Sequence, residues 1–301
     1  MGAQRTSPAQ AARPSSVPTP VETLWVRAAD GVRLAVHRVR STGPAVVLFH
    51  GVFCNRTVWL GTRGTGFAWF LAEAGFDVWV PELRGRGQSD VPRVWTIADW
   101  IEIDLPAIAT AVERERPEGT WRWVGHSAGG VVVAAGLGRW STLRARVRTA
   151  VLLGTPSPRR IGLARRLAAA TFAAVARVAP RERVPGRWVQ LGPEAESSAL
   201  VRHWMGWNVA RRWVGPDGYD YLASLQNVRC PVLGVAGAVD RLLAPPSSVA
   251  DLLRFFGGPT ESWIVGRAYG YTRDYGHADL VVAREARQEL WPRLRAWLAT
   301  G

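Results

Sequence analysis

The stretch WRWVGHSAGGVVVAAGLGR, residues 121–139, decides the fold. Its first four residues form a short, mainly apolar strand pattern ending at Val124, and residues 130–139 read as a helical run of small apolar side chains. Between them lies Gly125-His126-Ser127-Ala128-Gly129, a G-x-S-x-G turn. A serine hydroxyl is a weak nucleophile. A sharp strand-to-helix turn exposes it at the head of a sheet, with glycine two residues to either side because larger side chains would clash. The helix N-terminus that follows favours the negative charge that develops when such a serine attacks a carbonyl. An incidental serine in a glycine-rich turn would give the same five letters, but without the strand before and the helix after.

Working outward, residues 22–27 and 32–40 alternate around Asp30-Gly31, a hairpin signal. Residues 45–49 and 77–80 are short strands joined by an aromatic helical stretch, 58–74, that ends at Gly75. Residues 95–116 read as a further helix, with Pro106 expected to disturb its first turns. Residues 150–153, 232–235 and 262–265 complete a strand set that mostly alternates with helices, the pattern of a mainly parallel, doubly wound α/β sheet. The alternation fails between about 156 and 225, where some 70 residues replace a single crossover helix. That segment is expected to be a helical cap or lid insertion, with helices over 163–178 and 200–213. It divides the core into 21–155 and 226–301. Residues 1–20, rich in Pro, Ser and Ala and lacking an apolar run, read as a disordered tail and not a secretory signal, which makes the cytoplasm the default location.

A nucleophilic serine needs a base, and the chain has five histidines. His37 falls in the first hairpin, His126 is expected to be turned away by the elbow, and His203 lies in the inserted segment. His50 precedes a tight turn and reads as structural. His277, in Asp274-Tyr275-Gly276-His277-Ala278-Asp279, follows the last strand in a loop and is the candidate base. Asp240, just beyond the strand at 232–235, is the candidate for orienting the imidazole. Asp274 and Asp279 compete for that role but sit too near His277 in sequence for good geometry. The order Ser127, Asp240, His277 is the order expected of this triad on this kind of sheet. The turn after the strand at 45–49, His50-Gly51-Val52-Phe53, supplies one oxyanion donor: the backbone N–H groups of Val52 and Ala128 are the candidates.

Composition sets the exclusions. A chain of 301 residues, 48% hydrophobic and 21% charged, is long enough for a substantial core and is not globally disordered. It contains no lysine, which removes any P-loop. Neither Arg84-Gly85-Arg86-Gly87 nor the glycines at 61–66 make a dinucleotide fingerprint. Cys54 and Cys230 stand alone as free thiols with no metal-ligand spacing. The net charge of +14 is concentrated: residues 139–213 hold fifteen arginines against three acids. With no groove-reading motif, this points away from nucleic acid. It allows a peripheral contact between the cap and anionic lipid surfaces. Trp204, Trp207 and Trp213 either pack the cap or touch a hydrophobic substrate.

From about residue 21 to its end the chain resembles the α/β-hydrolase-fold serine hydrolases with a helical cap. Beyond the elbow, VVLFHGVFCN (46–55), FDVWVPELRGRGQS (76–89) and DYGHADL (274–280) resemble the oxyanion, post-strand and histidine-loop motifs of that superfamily. Within it the likeness runs toward lipases, lysophospholipases and esterases. The resemblance implies the roles already given to Ser127, Asp240, His277, Val52 and Ala128, and a small-molecule ester substrate with no metal or organic cofactor. Ser127 separates the chain from haloalkane dehalogenases and epoxide hydrolases, which use Asp, and from polyhydroxyalkanoate synthases, which use Cys. The same acyl-enzyme would serve an acyltransferase or perhydrolase, and the fold would also serve a non-catalytic binding protein. Oligomeric state has no signal in the sequence.

Overall fold

Alternation in the first hairpin gives β1 (Val21–Arg27) and β2 (Arg33–Val39), paired antiparallel with Val21 opposite Val39 and Arg27 opposite Arg33. Gly31 closes the turn at φ +88°, which favours glycine over residues bearing a Cβ. This description comes from a computed structural model and covers residues 20–62, 64–159, 163–177, 182–188 and 191–300. Apart from Pro20, the expected tail lies outside the described residues.

Six further strands join the sheet: β3 (Ala45–Phe49), β4 (Asp77–Pro81), β5 (Trp121–His126), β6 (Val147–Leu153), β9 (Val232–Gly237) and β10 (Thr260–Val265). Between β6 and β9 the chain adds a separate antiparallel pair, β7 (Arg183–Pro185) and β8 (Ala195–Ser197). The eight-stranded sheet runs β1-β2-β4-β3-β5-β6-β9-β10. From β4 to β10 in that order every pairing is parallel, and β2 alone runs against the other strands, antiparallel to both β1 and β4. Strands β3, β4, β5 and β9 are buried along their whole length, the mark of a sheet covered on both faces. One face packs Val47, Phe49, Trp121 and Trp123 under α2 (Leu105–Glu115) and α3 (Ala128–Arg139). The other packs Val46, Leu48, Val78 and Val235 under α1 (Phe67–Glu73) and α7 (Trp291–Thr300).

Three local expectations change. The helix expected over 58–74 is two short pieces, Thr57–Leu60 and α1. Gly61 ends the first at φ +69°, and Gly66 lies so close to the Trp59 carbonyl and Leu60 backbone that a Cβ would not fit. The helix at 95–116 begins at Ile97 behind a Thr96–Asp99 capping box and passes through a π-turn, Trp100–Asp104, that ends two residues before Pro106. The wider turn accommodates a ring that would otherwise strike the carbonyl one turn back. The segment between β6 and β9 holds α4 (Leu163–Arg177) and α5 (Ser198–Ala210), but also the β7–β8 pair, so it is not purely helical. Helix α5 stops short of 213 because Arg211 turns left-handed at φ 59°. Past β9, α6 (Pro246–Leu253) crosses back to β10.

Candidate active site

At the end of β5, Ser127 sits at φ 56°, ψ −121°, outside the ordinary regions for a residue with a Cβ. The turn is over-determined by its neighbours. The Ser127 amide donates to the Leu153 carbonyl at 2.8 Å, and the Ser127 carbonyl takes the Gly130 amide at 3.0 Å. A Cβ on Gly125 would meet the backbone of Gly129 and Gly130, and one on Gly129 would strike the carbonyls of Phe49 and His50. The spacing of glycines around the serine is thus a packing requirement: strand and helix cross too closely for any other residue.

Asp240 follows β9 and His277 the loop after β10. The Nδ1 atom of His277 lies 2.7 Å from Oδ2 of Asp240. Asp240 also accepts the Leu243 amide at 2.9 Å and the Ala244 amide at 3.0 Å. Burial raises its pKa, but the bond and charge of His277 and these two amides outweigh burial and hold the carboxyl below its ordinary range. Asp240 therefore faces His277 as a carboxylate, with the imidazole donating from Nδ1 and Nε2 left to accept a proton. The two competitors are engaged elsewhere. Asp274 accepts the Arg267 amide, and Asp279 accepts the Gly276 amide and meets Arg273.

Ser127 and His277 line one cavity of about 700 Å³ with Gly51, Val52 and His126. Among the described residues, no backbone or side-chain group accepts from the Val52 or Ala128 amide. The rest of the wall is largely apolar, with Phe172, Leu200, Val201, Trp204 and Met205 from the segment between β6 and β9 and Val281, Val282 and Trp291 from the C-terminal region. Asn55, Thr57, Thr62 and Thr65 give another stretch a polar lining. The three tryptophans divide. Trp204 lines the cavity, whereas Trp207 and Trp213 are buried against each other, and Trp207 also packs on Tyr221.

The remaining histidines are held in structural contacts. His50 donates from Nδ1 to the Gly51 carbonyl and accepts the Leu83 amide at Nε2, and burial pushes its pKa down to about 4. His37 bridges Thr23 and Glu82. His203 lies 3.5 Å from the Val214 carbonyl. His126 is not turned away, contrary to the expectation from sequence. Its ring lies 4.8 Å from that of His277, and its Nε2 donates to the His277 carbonyl at 3.1 Å. Burial, with the nearby His277, pushes its pKa down to about 3, so it supports the histidine loop as a neutral donor. Gly154, at the end of β6 with φ +56°, presses on the other side: a Cβ there would sit 3.0 Å from Cε1 of His277.

Several arginines of the basic segment have partners within the chain while staying partly or largely exposed. Arg139 pairs with Glu102 and Asp217, Arg146 with Glu113 and Arg212 with Asp220, while Arg144 and Arg211 donate to backbone carbonyls. Among the described residues no group of three or more His, Cys, Asp or Glu could hold a metal ion. No described helix is long and apolar enough to cross a membrane.

The strand order and the crevice at the C-terminal strand ends define an α/β-hydrolase fold. A family model described as alpha/beta hydrolase fold matches residues 44–186. Human lipase member N is 27% identical over 156 residues, which is 45% of this chain and 39% of the lipase. The chain thus spans about two fifths of that relative's length. In structure the chain is similar to a thermophilic esterase from Thermogutta terrifontis, with TM-score 0.62 and 21% identity over 93% of this chain and 98% of the esterase. It is also similar to the esterase Pf2001 of Pyrococcus furiosus, with TM-score 0.65 and 16% identity over 99% of each chain. The chain has the α/β-hydrolase fold and, within it, resembles esterases and lipases.

Proposed function

We propose that the protein hydrolyses carboxylic esters of hydrophobic or lipid-like acids through an acyl-enzyme on Ser127. The observation that carries this reading is the 2.7 Å contact between His277 and an ionised Asp240, beside a cavity whose wall includes a serine held in a strained strand-to-helix turn. His277 Nε2 takes the Ser127 proton as Oγ attacks the acyl carbon, and Asp240 holds the ring in the tautomer that leaves Nε2 free. The Val52 and Ala128 amides stabilise the oxyanion, each worth about 3–4 kcal/mol if it acts as oxyanion donors commonly do. The His277 imidazolium then protonates the leaving alcohol, and water, activated by the same histidine, releases the acid. The lipases and esterases that the chain resembles support the reaction class, and the apolar wall supports an acyl chain as the buried part of the substrate.

The test is a p-nitrophenyl ester series of increasing acyl length, run on the wild type and on Ser127→Ala. Turnover by the wild type with a chain-length optimum, abolished in Ser127→Ala, is the expected outcome. Equal turnover by both proteins would overturn the reading. Competing alcohols, amines or peroxide in the same assay separate hydrolysis from acyl transfer.

A further inference from the structure

The loop that bears Val52 is gripped from outside the sheet. Its next residue, Phe53, lies in the left-handed region at φ 61°, an uncommon conformation for a bulky side chain. Both backbone groups of Phe53 are bonded to the segment between β6 and β9. Its amide donates to Oε2 of Glu196 at 3.3 Å, and its carbonyl accepts the Glu194 amide at 3.0 Å. The Glu194 side chain also takes Asn55 Nδ2 at 2.6 Å.

Glu196 in turn belongs to a sealed ion pair. Glu196 and Arg86 are both fully buried and in contact. Glu196 Oε1 accepts Trp95 Nε1 at 3.2 Å, and Arg86 donates to the Ala195 carbonyl at 2.7 Å. The Arg86 guanidinium lies 5.5 Å from the Trp100 ring centre and 5.8 Å from that of Trp95. Burying two charges carries a heavy desolvation penalty for each ion, and a well-packed apolar pair is often as stable. Stability alone therefore gives little reason for this pair. Its carboxylate does what an apolar pair cannot: Oε1 takes Trp95 Nε1 and the Ser197 amide, and Oε2 accepts the amide of the peptide linking Val52 to Phe53.

The geometry points to Glu196, seated by Arg86, as a positioning residue that fixes the Val52–Phe53 peptide and so aims the Val52 amide at the oxyanion. The segment between β6 and β9 thus sets the rate of acylation as well as walling the cavity. Without the grip, Phe53 is free to relax toward negative φ, which turns the Val52–Phe53 peptide, shifts the Val52 Cα and so moves the adjoining Gly51–Val52 peptide, whose N–H is that of Val52, off its line. This inference rests on the proposed reading of Ser127 and the Val52 amide.

The experiment measures the second-order rate of phosphonylation by a fluorophosphonate, which needs no knowledge of the natural substrate. Ser127 Oγ bonds to phosphorus, the P–F bond breaks with loss of fluoride, His277 takes the serine proton, and the phosphoryl oxygen occupies the oxyanion position. Two double variants remove the buried charge without leaving a lone ion: Arg86→Met with Glu196→Leu, which has no acceptor for Phe53, and Arg86→Met with Glu196→Gln, which keeps one. Rates are taken per folded protein, with the folded fraction from circular dichroism and urea unfolding. The expected result is a loss of at least tenfold for the Leu variant, short of the ~10²–10³ that accompanies outright loss of one oxyanion donor, with substantial recovery in the Gln variant. For any ester turned over, KM should stay within about twofold while kcat falls with the labelling rate. Wild-type labelling at Ser127 with both variants within twofold of it would overturn this inference alone, as would equal losses in Leu and Gln variants. A wild type that is not labelled at Ser127 would overturn it together with the reading of the active site.

Discussion

Replacing Asp240 with Asn keeps the shape of the side chain and removes its charge, and the hydrogen bonds around it set the size of the effect. In the native protein Oδ1 accepts the Leu243 amide at 2.9 Å, while Oδ2 accepts both the Ala244 amide at 3.0 Å and His277 Nδ1 at 2.7 Å. An Asn has one oxygen and one NH2 to fill these two positions, and both backbone partners are donors. With NH2 toward Leu243, that amide loses its acceptor while the His277 tautomer is kept, and only the charge is lost. A charge-assisted hydrogen bond contributes about 1.5–3 kcal/mol, so that arrangement costs about 10–100-fold in kcat. With NH2 toward Ala244 and His277, the imidazole must accept at Nδ1 and carry its proton on Nε2, where it cannot take the Ser127 proton. The cost then approaches the ~10⁴ known for this substitution in a Ser-His-Asp triad. Each arrangement sacrifices one backbone bond, so neither dominates; the arrangement that keeps the tautomer carries the turnover, and the expected loss in kcat for Asp240→Asn is about 20–200-fold with KM little changed. The assay is steady-state hydrolysis of the best p-nitrophenyl ester, with active sites titrated by fluorophosphonate. Activity within threefold of wild type would refute the role assigned to Asp240.

Gly154→Ala should lower kcat at least tenfold, because the new Cβ lies 3.0 Å from the His277 ring, while stability falls by only about 1 kcal/mol or somewhat more from the positive φ. Unchanged kcat would show that the ring can shift without consequence. Trp204→Ala enlarges the cavity and should move the chain-length optimum toward longer acyl groups, whereas Trp207→Ala should leave the optimum alone and cost about 3–5 kcal/mol in urea unfolding. Reversed outcomes would mean that the wall of the cavity is misassigned. For pH, burial pushes His50 down to about 4 from 6.5, so between those values the unfolded chain binds a proton that the native protein does not. Stability is fully present above about 6.5 and falls as the pH drops toward 4, by about 1 kcal/mol per pH unit for this histidine. Asp104, raised to about 6 by burial despite Arg84, works in the opposite direction over an overlapping range. The clean readout is therefore the difference between wild type and His50→Gln, which should narrow steadily from pH 7 to 4.5 in urea midpoints. A constant difference would contradict the buried neutral histidine.

The features legible in the sequence are those carried by local pattern. Strand, G-x-S-x-G and helix succeed one another at 121–139, Asp240 stands just past β9 and His277 in the loop after the last strand, so position and residue type together point to them. The features hidden from sequence depend on contacts across the chain. The strands β7 and β8 are three residues each, too short for alternation to register. The glycines that split the helix at 58–74 act through a clash between Gly66 and the backbone of Trp59 and Leu60 that spacing does not reveal. His126 faces His277 because the elbow and the histidine loop meet in space. Arg86 and Glu196 are far apart in sequence, and each reads alone as an ordinary surface charge. Only the fold brings them together under the Val52 loop.

The central claim is that Ser127 carries the acyl group, and peptide mapping after a slowly deacylating ester or a fluorophosphonate tests it most directly. Trypsin cleaves after Arg122 and Arg139, so Ser127 travels in the peptide spanning residues 123–139, where it is the only hydroxyl-bearing residue. The expected result is one adduct of the reagent's mass on that peptide, absent in Ser127→Ala and formed at a rate that falls in Asp240→Asn. Ester turnover with the adduct on another peptide, or turnover that survives Ser127→Ala, would contradict the account.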